Sequence, residues 1–180
     1  LLPVMKNGKL VGVVTDRDLK RASASDATSL GMHEILYLLS NVKVKHIMTK
    51  APITVPPDYT VEETAELLLR HKISGVPVVD SNGELAGIIT QSDLFRVMIA
   101  LTGVGKKGIQ FACEVEDRPG AIKEISDTIR QFNGRIISIL TAYERAPAGY
   151  RKAYFRAYQV DQEKLPELEK VLKEKANLPK

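Results

Sequence analysis

Gly75-Val76-Pro77-Val78-Val79-Asp80-Ser81-Asn82-Gly83-Glu84-Leu85-Ala86-Gly87-Ile88-Ile89-Thr90-Gln91-Ser92-Asp93-Leu94 is the stretch on which the fold turns. Two β-branched runs, Val76–Val79 and Leu85–Ile89, flank Ser81-Asn82-Gly83. That pattern predicts a hairpin in which Gly83 supplies the positive φ of the turn. Thr90 then opens a helix, and Asp93 follows three residues later. A hydroxyl at the N-cap with a carboxylate at N3 is a capping-box arrangement.

The same pattern stands at the start of the chain. Leu2-Pro3-Val4-Met5 answers Val76-Pro77-Val78-Val79, and Asn7-Gly8-Lys9-Leu10-Val11-Gly12-Val13-Val14-Thr15-Asp16-Arg17-Asp18-Leu19 answers the segment from Asn82 to Leu94. Asn, Gly, Leu, Gly, Thr, Asp and Leu recur in the same order. A repeat at this separation means two copies of one supersecondary unit.

The doubled Gly-apolar-apolar-Thr-x-x-Asp, each copy after a Pro-Val hairpin, resembles the CBS module, named for cystathionine β-synthase. Such modules pair and hold adenosine-containing ligands in the clefts between them. Carried over by that resemblance, Thr15, Arg17 and Asp18 face Thr49, Ile53, Thr54, Ile73, Ser74 and Gly75 in a first cleft. The apolar members would hold adenine, and backbone groups near Ile73 and Ser74 would read its edge. Asp18 would accept from ribose hydroxyls, a threonine hydroxyl would donate to phosphate, and Arg17 would pair with phosphate. A second cleft would use Thr90, Ser92 and Asp93. Its other wall is expected to include residues preceding Leu1, because the first copy lacks the lead-in that the second possesses. The chain is therefore expected to be a fragment, or to have its first strand and helix absent. The bland reading of both Thr-x-x-Asp pairs is helix capping, which needs no ligand. The two readings are compatible, because a helix N-terminus offers free N–H groups and a dipole that favours phosphate.

Composition sets outer bounds. A length of 180 residues accommodates one or two domains with a true core. Apolar residues make up 44% and charged residues 27%, as in ordinary soluble proteins. The one cysteine allows no intrachain disulfide, no apolar run reaches the roughly 20 residues that span a bilayer, and Leu1-Leu2-Pro3 is not a signal peptide. A cytoplasmic protein is expected. Its net charge of +4, spread along the chain, suits anionic small ligands. Without a helix-turn-helix or an aromatic-basic platform it argues against nucleic acid as a partner.

Along the chain, Asp16–Ala22 is predicted helical, 23–28 irregular, and Leu30–Leu39 a short amphipathic helix. Ile53-Thr54-Val55 reads as a strand stopped by Pro56-Pro57. Thr60, with Glu63 at N3, caps a helix ending near Lys72, and the helix after Thr90 runs to about Ala100. Thr102–Gly108 is Gly- and Lys-rich and reads as a linker. The expected units are residues 1–40 (partial first module with a connecting helix), 41–101 (second module), 102–108 (linker) and 109–180 (second domain).

In that second domain Ile109, Phe111, Cys113 and Val115 alternate with polar or small residues, the period of a half-buried strand. Asp117-Arg118-Pro119-Gly120 turns into a helix with Pro119 in its first turn and Ile122, Ile125, Ile129 and Phe132 as its buried stripe, ended by Asn133-Gly134. Arg135–Tyr143 and Tyr150–Val160 read as strands, and Leu165–Leu172 as a last helix. The order βαββα with Asp-Arg-Pro-Gly at the first turn resembles the ACT domain, a ferredoxin-like regulatory fold that often binds amino acids. The family's fourth strand would be missing or cut short here. Glu116, Asp117, Pro119, Gly120 and Ala121 would form its ligand edge, and the bland alternative is a purely structural turn. The fold class is thus α+β, a CBS pair with an incomplete first module plus a C-terminal ACT domain. This architecture is similar to the acetoin-utilisation accessory proteins of bacteria.

Other chemistry is sparse. His33, His46 and His71 lack metal-ligand spacing, with His71 a minor candidate for phosphate contact, and Cys113 reads as a core thiol. Tyr150, Tyr154, Phe155 and Tyr158 read as sheet packing or a dimer contact. No catalytic triad, Walker loop or paired catalytic carboxylates can be identified. The function expected is a non-enzymatic homodimeric regulator. It would need no cofactor and sense AMP, ADP, ATP or S-adenosylmethionine, and an amino acid at the ACT turn. The alternative is the regulatory portion of a longer enzyme.

Overall fold

The computed structural model describes residues 1–24 and 42–178. The expected helix at Leu30–Leu39 lies outside them. The chain divides into two compact units, Leu1–Phe95 and Arg96–Lys180.

In the first unit, β1 (Leu2–Lys6) and β2 (Lys9–Val14) form an antiparallel hairpin followed by α1 (Asp16–Ala24). After the short helical turn α2 (Val44–Ile47) come β3 (Thr49–Lys50), α3 (Val61–His71), β4 (Gly75–Val79) and β5 (Leu85–Thr90), and then α4 (Gln91–Thr102), in which the division into units falls. The two hairpins match closely. Leu2 pairs with Val14 and Val4 with Gly12, while Val76 pairs with Ile89 and Val78 with Gly87. The register slips after Val4 in one and after Val78 in the other, so even the bulge recurs at the equivalent position. Gly8 and Gly83 take φ of 77° and 80° in the turns. Asp80 secures the second turn, its Oδ1 accepting from the Asn82 and Glu84 amides at 2.9 and 2.8 Å.

α3 begins as expected. The Thr60 hydroxyl accepts from the Glu63 amide while Glu63 accepts from the Thr60 amide, a complete capping box. Leu68 on this helix packs with Val55 and Val76 as the buried centre of the unit. The expected strand at Ile53–Val55 does not form. Only Val55 bridges, parallel to Val78, and the two-residue strand lies earlier, Thr49 and Lys50 pairing with Val13 and Gly12. Pro52 and Pro56 remove backbone donors on both sides of the expected run, so a ladder cannot extend there.

The second unit continues through β6 (Ile109–Glu116), α5 (Ala121–Gln131), β7 (Arg135–Ala142), β8 (Tyr150–Tyr158) and α6 (Leu165–Lys175). The sheet is antiparallel in the order β6-β8-β7. Phe111, Cys113 and Val115 of β6 and Ala153, Phe155 and Ala157 of β8 bury one face against Ile125 and Ile129 of α5 and Leu168 and Leu172 of α6. Ile122 and Phe132 lie at the margin of this core. Tyr150, Tyr154 and Tyr158 alternate with the buried positions of β8 and stay half-buried, whereas Phe155 is fully enclosed. Asn133 takes the left-handed conformation (φ 62°) just beyond α5. Gly134 next to it has no room for a side chain, because a Cβ would lie 2.5 Å from Ile129 Cγ2. Gly120 is the N-cap of α5 with φ 88°, which puts Pro119 one residue before the helix rather than in its first turn. On the outer edge of β6, Asn177 makes one antiparallel bridge with Glu114 where a fourth strand would lie. Among the described residues no helix is long and apolar enough to cross a membrane.

Candidate functional site

A cavity of about 440 Å³ lies within the first unit. Its walls come from both copies of the repeat. The end of β2 and the helix α1 bring Val13, Thr15, Arg17, Asp18 and Arg21. The segment after β3 brings Pro52 and Ile53, and the passage from α3 into β4 brings Lys72, Ile73, Ser74 and Gly75. Of the nine residues assigned to the first cleft by resemblance, all but Thr54 line this space. Thr54 is exposed.

Asp18 is the best-defined polar group there. Its carboxylate Oδ2 accepts from the Thr15 amide at 2.9 Å and from the Thr15 hydroxyl at 2.7 Å, and the Asp18 amide donates back to that hydroxyl at 3.3 Å. These bonds, chiefly the one from the hydroxyl, hold the carboxyl below the usual aspartate range, helped by the positive charges of Arg21 and Arg17. Asp18 is 9% exposed. Thr90 and Asp93 repeat the arrangement, at 2.9 Å from amide to Oδ2 and 2.6 Å from hydroxyl to Oδ2, with Ser92 exposed in the first turn of α4. The box at Thr60 and Glu63 has the same bonds on an exposed helix end and does not line the cavity. Capping alone therefore does not mark a ligand site. Position at the cavity distinguishes Asp18.

Gln91, Arg21 and Lys72 also line the cavity and were not singled out by the motif. The Gln91 amide donates to Ser74 O at 2.9 Å, and its side chain donates to Ile73 O at 3.4 Å. In the segment whose backbone groups are expected to read a base edge, the carbonyls of Ile73 and Ser74 thus each already have a donor. Arg21 was legible as a residue three positions after Asp18, which shares its helix face.

The second unit's Glu116–Ala121 turn is held from within. The Arg118 guanidinium donates to Glu116 Oε2 at 2.8 Å and to both carboxylate oxygens of Glu124 at 2.8 Å. This bidentate pair holds the Glu124 carboxyl below its ordinary range. The Asp117 amide donates to Gly149 O at 2.9 Å, and Tyr143 donates its hydroxyl to Asp117 Oδ1 at 3.4 Å. Every bond just described serves the turn itself. Among the described residues no group of His, Cys, Asp and Glu could hold a metal ion, and Cys113 is buried.

The first unit is thus a duplicated hairpin-and-helix unit with a cavity lined by both copies. The family model of the CBS domain matches residues 1–25 and 44–100. Over 99 residues the chain is 38% identical to a CBS domain-containing protein of Dictyostelium discoideum, a stretch that is 54% of this chain and 68% of that one. It is 40% identical over 94 residues to an inosine-5'-monophosphate dehydrogenase of Korarchaeum cryptofilum, covering 52% of this chain but 17% of the enzyme. A solved structure of CBSX2 in complex with AMP is 32% identical and covers 58% of this chain and 73% of that one, with a TM-score of 0.44. The chain belongs to the CBS-domain family, and its first unit is a mixed α+β CBS pair.

Proposed function

We propose that this protein is a non-enzymatic regulator that senses an adenosine-containing ligand in the cavity of its CBS pair. One observation carries the reading. The cavity gathers Thr15, Arg17 and Asp18 from one copy and Thr49, Ile53, Ile73, Ser74 and Gly75 from the other. Its volume of about 440 Å³ falls within the roughly 300–1,000 Å³ of small-molecule sites. Asp18 engages Thr15 through Oδ2, which leaves Oδ1 to accept from ribose hydroxyls. Ile53 and Ile73 supply apolar walls for the base. A ligand that binds one arrangement of the two modules better shifts the population toward it, by no more than its differential affinity. Thermal-shift titration with AMP, ADP, ATP and S-adenosylmethionine tests the reading. At least one should raise the unfolding midpoint, and silence from all four would sink it.

The second unit reads as an ACT domain. Its βαββα order, its 1-3-2 antiparallel sheet and the Asn177 bridge on the outer edge of β6 support this. An amino acid bound at Glu116–Ala121 and self-association are the two roles such a unit would play. Because Arg118 already occupies the carboxylates of Glu116 and Glu124, self-association is the stronger of the two. The cytoplasm and a role akin to bacterial acetoin-utilisation accessory proteins belong to the same reading. A second reading is favoured by the inosine-5'-monophosphate dehydrogenase match, in which the shared stretch is a small part of a long enzyme. This chain would then be the regulatory portion of a longer protein. The mass of the native gene product separates the two.

A further inference from the structure

Three cationic side chains, Arg17, Arg21 and Lys72, line the cavity, against two carboxylates, Asp16 and Asp18. Asp16 lies 3.5 Å from Lys20, whose charge offsets it, and Asp18, kept anionic by its bonds to Thr15, offsets only one of the three cations. Among the described residues none of the three cations is held in an ion pair. The cavity therefore offers a surplus of positive charge from two sides, α1 and the end of α3.

Lys72 is placed there against backbone preference. It follows α3 with φ 54° and ψ 41°, in the left-handed region, and its amide donates to Leu68 O and Leu69 O. Glycine and asparagine enter this region most readily, and a helix end of this kind ordinarily carries one of them. A lysine at such a position gives up backbone ease. What it adds is a cationic side chain among the groups that line the cavity. Strained positions of this kind concentrate at ligand sites.

Resting on the adenosine reading above, we infer that the cavity selects a phosphorylated adenosine, an adenine nucleotide, over the uncharged nucleoside and over S-adenosylmethionine, and that Lys72 is a specificity-determining phosphate contact. Arg17 lies in the first turn of α1, whose N-terminal dipole favours the same charge, and Arg21 lies on the same helix one turn further on. The sulfonium of S-adenosylmethionine would meet like charge where a nucleotide brings phosphate.

The test is calorimetric titration of the full chain with adenosine, AMP, ATP and S-adenosylmethionine, for wild type and Lys72→Gly, with thermal unfolding of both proteins. Wild type should bind AMP or ATP at least about 10-fold more tightly than adenosine, as a charge-assisted contact implies, and the preference should shrink as salt rises. Lys72→Gly should pull the ratio of nucleotide to adenosine affinity toward one while its unfolding midpoint is unchanged or higher, since glycine relieves the backbone. Equal affinity for adenosine and AMP, tighter binding of S-adenosylmethionine, or an unaltered ratio in Lys72→Gly would overturn the inference and leave the adenosine site standing. Binding of none of the four would overturn both.

Discussion

Thr15 donates both its amide and its hydroxyl to a single oxygen of Asp18, Oδ2, at 2.9 and 2.7 Å. The geometry reconciles the two roles that a Thr-x-x-Asp pair can have. One carboxylate oxygen closes the end of α1, and under the proposed function the other would accept from the ligand. The exposed box at Thr60 and Glu63 shows the capping role by itself.

The same bonds predict a pH dependence. Asp18 has its carboxyl held below the ordinary aspartate range by the Thr15 hydroxyl and amide and by nearby Arg21 and Arg17. A depressed folded-state pKa contributes stability above the unfolded value of about 3.9, and that stability is lost as pH falls through the folded value. Unfolding curves between about pH 2 and pH 6 should show an acid-side loss in wild type that is smaller in Asp18→Asn. Parallel curves for the two proteins would count against the bonded carboxylate.

Cys113 should be inert in the native protein. Burial in the core of the second unit pushes its thiol up to about 11, so little thiolate exists at neutral pH. A thiol-specific chromogenic reagent should label it only at the rate at which the unit opens, and denaturant should make labelling immediate. Rapid stoichiometric labelling without denaturant would contradict the placement of Cys113 on the helix-covered face of β6.

Gly134→Ala should destabilise the second unit. An added Cβ would stand 2.5 Å from Ile129 Cγ2 and 2.8 Å from Ile129 O, and Ile129 is fully buried. Overpacking of this kind costs about 1–3 kcal/mol. Chemical denaturation measures it. Leu68→Ala is the counterpart in the first unit, where a fully enclosed leucine is expected to cost about 2–5 kcal/mol on truncation.

Much of the first unit was legible because it is written twice. Paired hairpins, turn glycines and the Thr-x-x-Asp boxes each confirm the other copy, and the matching bulges after Val4 and Val78 show how literal the duplication is. The short strand was misplaced because β-branched Ile53-Thr54-Val55 looks extended, while the flanking prolines that forbid a ladder act through the backbone. Thr54 was assigned to the site by the resemblance and does not line the cavity. Lys72 escaped notice because it precedes the repeated stretch, and Gln91 because it stands at an unspecified position inside Thr-x-x-Asp. Their approach to the cavity depends on how α3 ends and on how β5 passes into α4. In the second unit the alternation of β6 and the stripe of α5 read directly. Arg118 bridging to Glu124, six residues on, needs the turn geometry to be seen.

The central claim is that Asp18 is a ligand-binding carboxylate and not only a cap. Nucleotide titration of wild type, Asp18→Asn and Asp93→Asn tests it most directly, with unfolding curves for each. Asparagine keeps the shape and much of the capping ability, so stability should change by less than roughly 1 kcal/mol. Loss of the charge should weaken nucleotide binding by about 10- to 100-fold, the value of a hydrogen bond to a charged group. Asp93→Asn should change this affinity little, since Asp93 does not line the cavity. Unchanged nucleotide affinity in Asp18→Asn would contradict the account and leave Asp18 as a helix cap alone.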